Sequence, residues 1–164
     1  DIAVQYKRRQ LPLEVRWLDG PEAPPTAKAA RNEQIAVSPA PTWGATLHLT
    51  ARPKSLRRAL TNLIDNALRY APGTPITLEC ALRQGEMVFA VLDRGPGIPP
   101  DEVARVKRPF TRLDNARSNV TGAGLGLAIV DRVARNQQGY FDLRPNPGGG
   151  LRAEIALPVT PTKK

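Results

Sequence analysis

The sequence predicts an α+β fold, a two-layer α/β sandwich whose mostly antiparallel, mixed sheet carries helices on one face. Three observations predict it. Several short stretches, Leu13–Leu18 and Thr46–Thr50 among them, alternate apolar and polar residues at period two. Two longer stretches repeat apolar residues at helical spacing, and short glycine-containing turns join neighbouring strands. At 164 residues the chain is expected to form one domain with a real core.

The elements follow in order. Residues 2–10 read as a short helix, or the end of a longer one, with no capping signal; residues 1–12 are expected to be the end of a linker from a preceding domain. Leu13–Leu18 alternates as a half-buried strand. Residues 20–42 hold five prolines and little periodicity, an excursion expected to be mobile with at most a short strand at Gln34–Val37. Thr46–Thr50 alternates again.

Pro53 opens a helix, a favoured place for proline, and Pro72-Gly73 stops it. Ile76–Leu82 and Met87–Leu92 are strands joined at Gln84-Gly85. Asp101–Val106 is a brief helix with its acidic residues where the helix dipole favours them. Thr111–Thr121 is polar and flexible. Gly126–Asn136 is a helix, and Tyr140–Arg144 and Leu151–Leu157 are the last two strands, joined through Asn146-Pro147-Gly148-Gly149-Gly150.

Composition narrows the function. No apolar run reaches the roughly 18 residues of a membrane span. The single cysteine, Cys80, lies in an alternating apolar run and reads as a buried, inert thiol in a reducing compartment. The formal charge is +9, but the basic residues are dispersed and not interleaved with stacking aromatics. That pattern argues against a nucleic-acid binder and for a solvated surface able to meet an acidic partner or polyphosphate.

Candidate chemistry concentrates in three places. Asn62 and Asn66 stand one turn apart on the helix after Pro53, followed by Arg69 and Tyr70, while Leu60, Leu63 and Ala67 line another side. A side-chain carbonyl is a hard oxygen suited to Mg²⁺, although two solvated asparagines would read equally well in isolation. Asp93 begins an Asp-Arg-Gly-Pro-Gly turn, where it is either an acceptor for an exocyclic amine such as that of adenine or an ordinary turn aspartate. Gly122-Ala-Gly124-Leu-Gly126 opens a helix whose unpaired N–H groups make a natural seat for phosphate. It is not a Rossmann fingerprint, because its spacing is not GxGxxG and no parallel βαβ unit surrounds it.

Taken together, Asn62-Leu-Ile-Asp-Asn66-Ala, Asp93-x-Gly95-x-Gly97, Arg108-Pro-Phe110-x-Arg112 and Gly122-x-Gly124-x-Gly126-Leu127 occur in this order, each on its expected element. Over residues 46–158 this resembles the ATP-binding catalytic domain of sensor histidine kinases, with their N, G1, F and G2 boxes. These kinases belong to the gyrase/Hsp90/histidine kinase/MutL superfamily. The stretch from Arg108 to Ser118 and the glycines that follow are most similar to EnvZ-type osmosensing kinases.

The resemblance implies a Bergerat-type fold with a flexible ATP lid over residues 111–123, and ATP with Mg²⁺ as ligands. It makes Asn66 the Mg²⁺ ligand and sets Asn62 to order phosphates or water. Arg69 would reach the phosphates, and Tyr70 would lie along the base or ribose. Asp93 would read the adenine amine in a pocket shaped by Gly95, Gly97 and Ile98. Phe110 would anchor the lid hinge; Gly122, Gly124 and Gly126 would cradle the phosphates over Leu125 and Leu127. Arg112 and Arg117 are further candidates for γ-phosphate contacts or domain docking. Where the family carries Gly-Thr before the last strand, this chain has Gly150-Leu151-Arg152, so that hydroxyl is absent.

Superfamily members that hydrolyse ATP place a glutamate base where this chain has Asn62, and an amide cannot accept a proton from water. The expected activity is therefore transfer to a histidine rather than hydrolysis. The only histidine, His48, lies in a strand of the domain itself and lacks the acceptor's following acidic residue. The acceptor is thus expected on a separate dimerisation domain, with relay to an OmpR-type response regulator. The intact protein would be a membrane-bound homodimer of the inner membrane, this segment its cytoplasmic domain and monomeric alone. A nucleotide-binding sensor without transfer activity and a stand-alone ATPase are the alternatives.

Overall fold

A computed structural model of the chain describes residues 13–18, 47–49, 51–111 and 124–161. The expectations for residues 1–12, 20–42 and 112–123 lie outside the described residues. The strands are β1 (Leu13–Leu18), β2 (Leu47–Leu49), β3 (Ile76–Arg83), β4 (Glu86–Leu92), β5 (Tyr140–Pro145) and β6 (Leu151–Pro161). The helices are α1 (Pro53–Tyr70), α2 (Val103–Val106, entered through a 3₁₀ turn at Pro100–Glu102) and α3 (Gly126–Arg135).

The six strands form one mixed sheet in the order β1-β3-β4-β6, with β5 and β2 sharing the far side of β6. Only β1 and β3 pair in parallel among the described strands. Period-two alternation sends Ile76, Leu78 and Cys80 of β3, Val91 of β4 and Ala153, Ile155 and Leu157 of β6 into one core. Against them α1 and α3 bury Ala59, Leu60, Leu63, Ile64, Ala67, Val130 and Ala134. Each fully buried Leu or Ile here stabilises the fold by about 2 kcal/mol.

Cys80 is buried, and desolvation, with the nearby Glu79 carboxylate adding to it, pushes its thiol up to about 12. It is the inert thiol expected from the sequence.

β6 is longer than its alternating run predicted. The ladder continues past Pro158, because the Val159 N–H donates to Gly85 O at 2.9 Å and residues 159–161 then pair with β2. His48 lies in that short strand opposite Thr160.

The opposite face of the sheet is ionic. Arg152 joins Glu79 at 2.6 Å and Glu154 at 3.0 Å, and Arg144 reaches Glu154 at 3.5 Å. Glu79 is 5% and Glu154 2% exposed, so both carboxylates depend on these guanidinium partners. The arginine that stands near the family's missing hydroxyl therefore serves the face away from the helices.

One side chain ties the start of α1 to the end of α3. Gln137, just past α3 and buried, accepts the Arg52 N–H at the start of α1 through Oε1 at 2.7 Å. Its Nε2 donates to Val133 O at 3.2 Å. Gly126 lies roughly 16 Å from that tie along α3, and residues 62–66 lie roughly 15–21 Å from it along α1.

Candidate nucleotide site

Three structural units carry the candidate residues. The first is the second half of α1. Asn62 and Asn66 are half-buried on it, Arg69 and Tyr70 are exposed in its last turn, and the apolar positions face the core. Asn62 Nδ2 is buried and has no hydrogen-bond partner among the described residues. An amide donor left so costs about 1–3 kcal/mol, a cost relieved by a phosphate oxygen or ordered water.

The second unit is the loop after β4, where Asp93 is 5% exposed and fixed on every side. Its N–H donates to Leu151 O at 3.0 Å, and its Oδ1 accepts the Leu151 N–H at 3.1 Å and the Gly95 N–H at 2.8 Å. Its carbonyl accepts the Asn146 side-chain amide at 2.8 Å. Oδ2 takes no hydrogen bond among the described residues, which leaves it for an incoming donor. Gly95 lies so close to the end of α1 that a Cβ would come 2.9 Å from Tyr70 O. Gly97, at φ +72°, adopts the left-handed backbone that glycine tolerates. Ile98 is partly buried against the core.

The third unit is the start of α3. Phe110 N donates to Gly124 O at 3.1 Å, so the chain leaves at residue 111 and returns at residue 124 beside its point of departure. Gly124 is at φ +67°, and a Cβ there would come 2.9 Å from Thr111 O. Its glycine is demanded by that closure. Gly126 differs, for a Cβ would meet nothing within 4 Å among the described residues. The N–H groups that begin α3 are where an anion is favoured. Leu127 packs on the core, whereas the Phe110 ring is 77% exposed and its contribution is the backbone closure.

The fold thus carries Asn62, Asn66, Arg69 and Tyr70 on α1, Asp93, Gly95, Gly97 and Ile98 on the loop that abuts its end, and Phe110, Gly124, Leu125, Gly126 and Leu127 at the start of α3. Arg112, Arg117 and Gly122 lie outside the described residues. Sequence reasoning missed Asn146, Arg94 and Gln137, whose partners are 53 or more residues away. No local pattern signals such ties.

The arrangement has a direction. The loop of Asp93 adjoins the end of α1 through Gly95 and Tyr70, and Asn66 and Asn62 lie about 6 and about 12 Å back along that helix. No three-residue cluster of His, Cys, Asp or Glu able to hold a metal occurs among the described residues. One asparagine oxygen beside a phosphate seat still fits Mg²⁺, which commonly takes one or two protein oxygens and completes its shell with phosphate and water.

Comparison with known proteins agrees with this geometry. The family described as "Histidine kinase-, DNA gyrase B-, and HSP90-like ATPase" matches residues 51–161. Sensor-like histidine kinase SenX3 of Mycolicibacterium smegmatis is 41% identical over 136 residues, covering 81% of this chain and 35% of that protein. Sensor histidine kinase CpxA of Escherichia coli K12 is 39% identical over 112 residues, covering 68% and 24%. The solved histidine kinase domain of the E. coli osmosensor EnvZ is 38% identical with a TM-score of 0.51, covering 71% of each chain. The chain spans about a third or less of the length of these two full relatives. It belongs to the histidine kinase-, DNA gyrase B- and HSP90-like ATPases, and within them it is similar to the ATP-binding catalytic domains of sensor histidine kinases.

Proposed function

We propose that this domain holds ATP with Mg²⁺ and presents the γ-phosphoryl group to a histidine on a separate dimerisation domain. In that step the imidazole nitrogen forms the N–P bond, the bond from Pγ to the bridging oxygen breaks, and ADP leaves. The observation that carries the reading is the buried Asn62 amide, without a hydrogen-bond partner among the described residues, one turn from Asn66 on α1.

Asp93 Oδ2 accepts the adenine amine, and Gly95 and Gly97 let the base lie against backbone. Tyr70 flanks the base or ribose, and Arg69 reaches the phosphates. Asn62 donates to a phosphate oxygen or its water. Asn66 holds Mg²⁺, which when bound neutralises phosphate charge and orients the chain of phosphates. Residues 111–123 act as the lid, with Arg112, Arg117 and Gly122 at the phosphates. The phosphohistidine then serves an OmpR-type response regulator. In the longer protein we place this domain on the cytoplasmic side of a membrane-bound homodimer, where ATP is available. Among the described residues no helix is long and apolar enough to cross a membrane.

Because an amide at position 62 cannot take a proton from water, transfer to histidine is expected to outrun hydrolysis. Calorimetry with MgATP, paired with transfer of labelled phosphate to a separately made dimerisation domain, tests this. Binding followed by acid-labile labelling of the histidine supports the reading. Binding without labelling would leave a nucleotide sensor. Brisk hydrolysis by the domain alone, unchanged in Asn62→Asp, would leave a stand-alone ATPase.

A further inference from the structure

We infer that Asn146, in the turn between β5 and β6, is a positioning residue that sets nucleotide-base selectivity by holding the backbone of Asp93 in place. The inference rests on the reading of Asp93 as the adenine-recognising carboxylate. Asn146 is 6% exposed and commits three of its polar groups to this one junction. Its side-chain Nδ2 donates to Asp93 O at 2.8 Å, its N–H donates to Gly150 O at 3.0 Å, and its carbonyl accepts the Gly149 N–H at 2.9 Å.

The turn it stabilises is one only glycine can make. Gly148, Gly149 and Gly150 have φ of +83°, +100° and +100°, and any Cβ on Gly150 would collide with the Asp93 carbonyl. Arg94 clamps the same turn from outside, its Nη1 donating to Pro147 O at 2.7 Å and Gly149 O at 3.2 Å. The turn therefore holds the carbonyl of Asp93 through Asn146 and the side chain of the next residue, Arg94, while the Asp93 N–H is held by Leu151 O of β6.

Discrimination between an amine and a carbonyl at one ring position depends on where Oδ2 points. An acceptor displaced by a fraction of an ångström weakens the favourable bond to adenine and relaxes the clash with guanine. Loss of Asn146 should then lower affinity for adenine nucleotides selectively, while general loosening of the fold would lower affinity for every nucleotide alike.

The test is calorimetric titration of the 164-residue chain with ADP and with GDP in Mg²⁺, for wild type, Asn146→Ala, the isosteric Asn146→Asp and Asp93→Asn. Asn146→Ala and Asn146→Asp are expected to lose about tenfold in ADP affinity, with the ADP/GDP ratio falling by a similar factor. An unchanged ratio in folded Asn146 variants, while Asp93→Asn abolishes ADP binding, would overturn the positioning role alone. Unchanged ADP binding in Asp93→Asn would overturn the adenine reading beneath it. Should both Asn146 variants fail to fold, Arg94→Ala, altered at an exposed side chain, is expected to lower the same ratio by about threefold; an unaltered ratio there would also overturn the role.

Discussion

The two ends of the candidate site are built on opposite principles. At the base end Asp93, Gly95, Asn146, Gly150 and Leu151 form a closed set of hydrogen bonds in which one carboxylate oxygen is left over. At the phosphate end, among the described residues, the buried Asn62 amide has no partner and a Cβ on Gly126 would meet nothing within 4 Å. Rigid groups can discriminate between bases, because discrimination needs an acceptor that does not move. Unsatisfied groups favour whatever satisfies them, and a triphosphate supplies many oxygens. The difference teaches that specificity and capture are separable in this domain, and substitutions should separate them.

The severest break is expected at the base end. Gly150→Ala forces a Cβ against the Asp93 carbonyl at a φ that side chains rarely adopt. It should cost about 3 kcal/mol of stability in denaturant unfolding and remove nucleotide binding with it. Asp93→Asn leaves both backbone hydrogen bonds to Oδ1 possible but turns an N–H toward the base. It should lower ATP affinity about a hundredfold with an unchanged circular dichroism spectrum.

The phosphate end should respond in the reverse sense. Gly126→Ala sits in a helix with free space around it, so stability should hold or rise by up to about 1 kcal/mol. MgATP affinity should fall about tenfold while adenosine binding is kept, because the methyl occupies the anion's seat. A stability loss instead would show that the opening is internal packing. The tie between the helices is tested by Gln137→Ala, which strips the Arg52 N–H and the Val133 carbonyl of their side-chain partner. About 1 kcal/mol of stability is expected to go, with a smaller loss of MgATP affinity than in Gly126→Ala. The smallest effect concerns Cys80. With its thiol pushed up to about 12, almost no thiolate exists at pH 8, so disulfide-exchange reagents should label it only after unfolding.

Much of this was legible in the sequence because the signals are local. Period-two runs marked the strands, the proline at position 53 marked the start of α1, and the asparagine and glycine spacings placed the candidate groups on one helix and two loops. The remainder was hidden for a physical reason. Asn146 acts on a residue 53 positions away, Gln137 on one 85 away, and nothing in their neighbours distinguishes them from ordinary polar turn residues. β6 continued through Pro158 because its neighbours carry the ladder around the missing donor, an outcome decided by pairing rather than by propensity. The glycines show the same limit. Gly124 and Gly126 look alike in sequence, yet one is required by chain closure and the other leaves room.

The contrast between a finished base end and an unfinished phosphate end is tested most directly by amide hydrogen exchange, with and without a non-hydrolysable ATP analogue and Mg²⁺. The expected result is slow exchange at Gly95 and Leu151 in the free protein, changing less than about twofold, with at least about tenfold slowing at Gly126–Ile129 on binding. Fast exchange at Gly95 and Leu151 in the free protein, slowed on binding while Gly126–Ile129 stays unchanged, would contradict it.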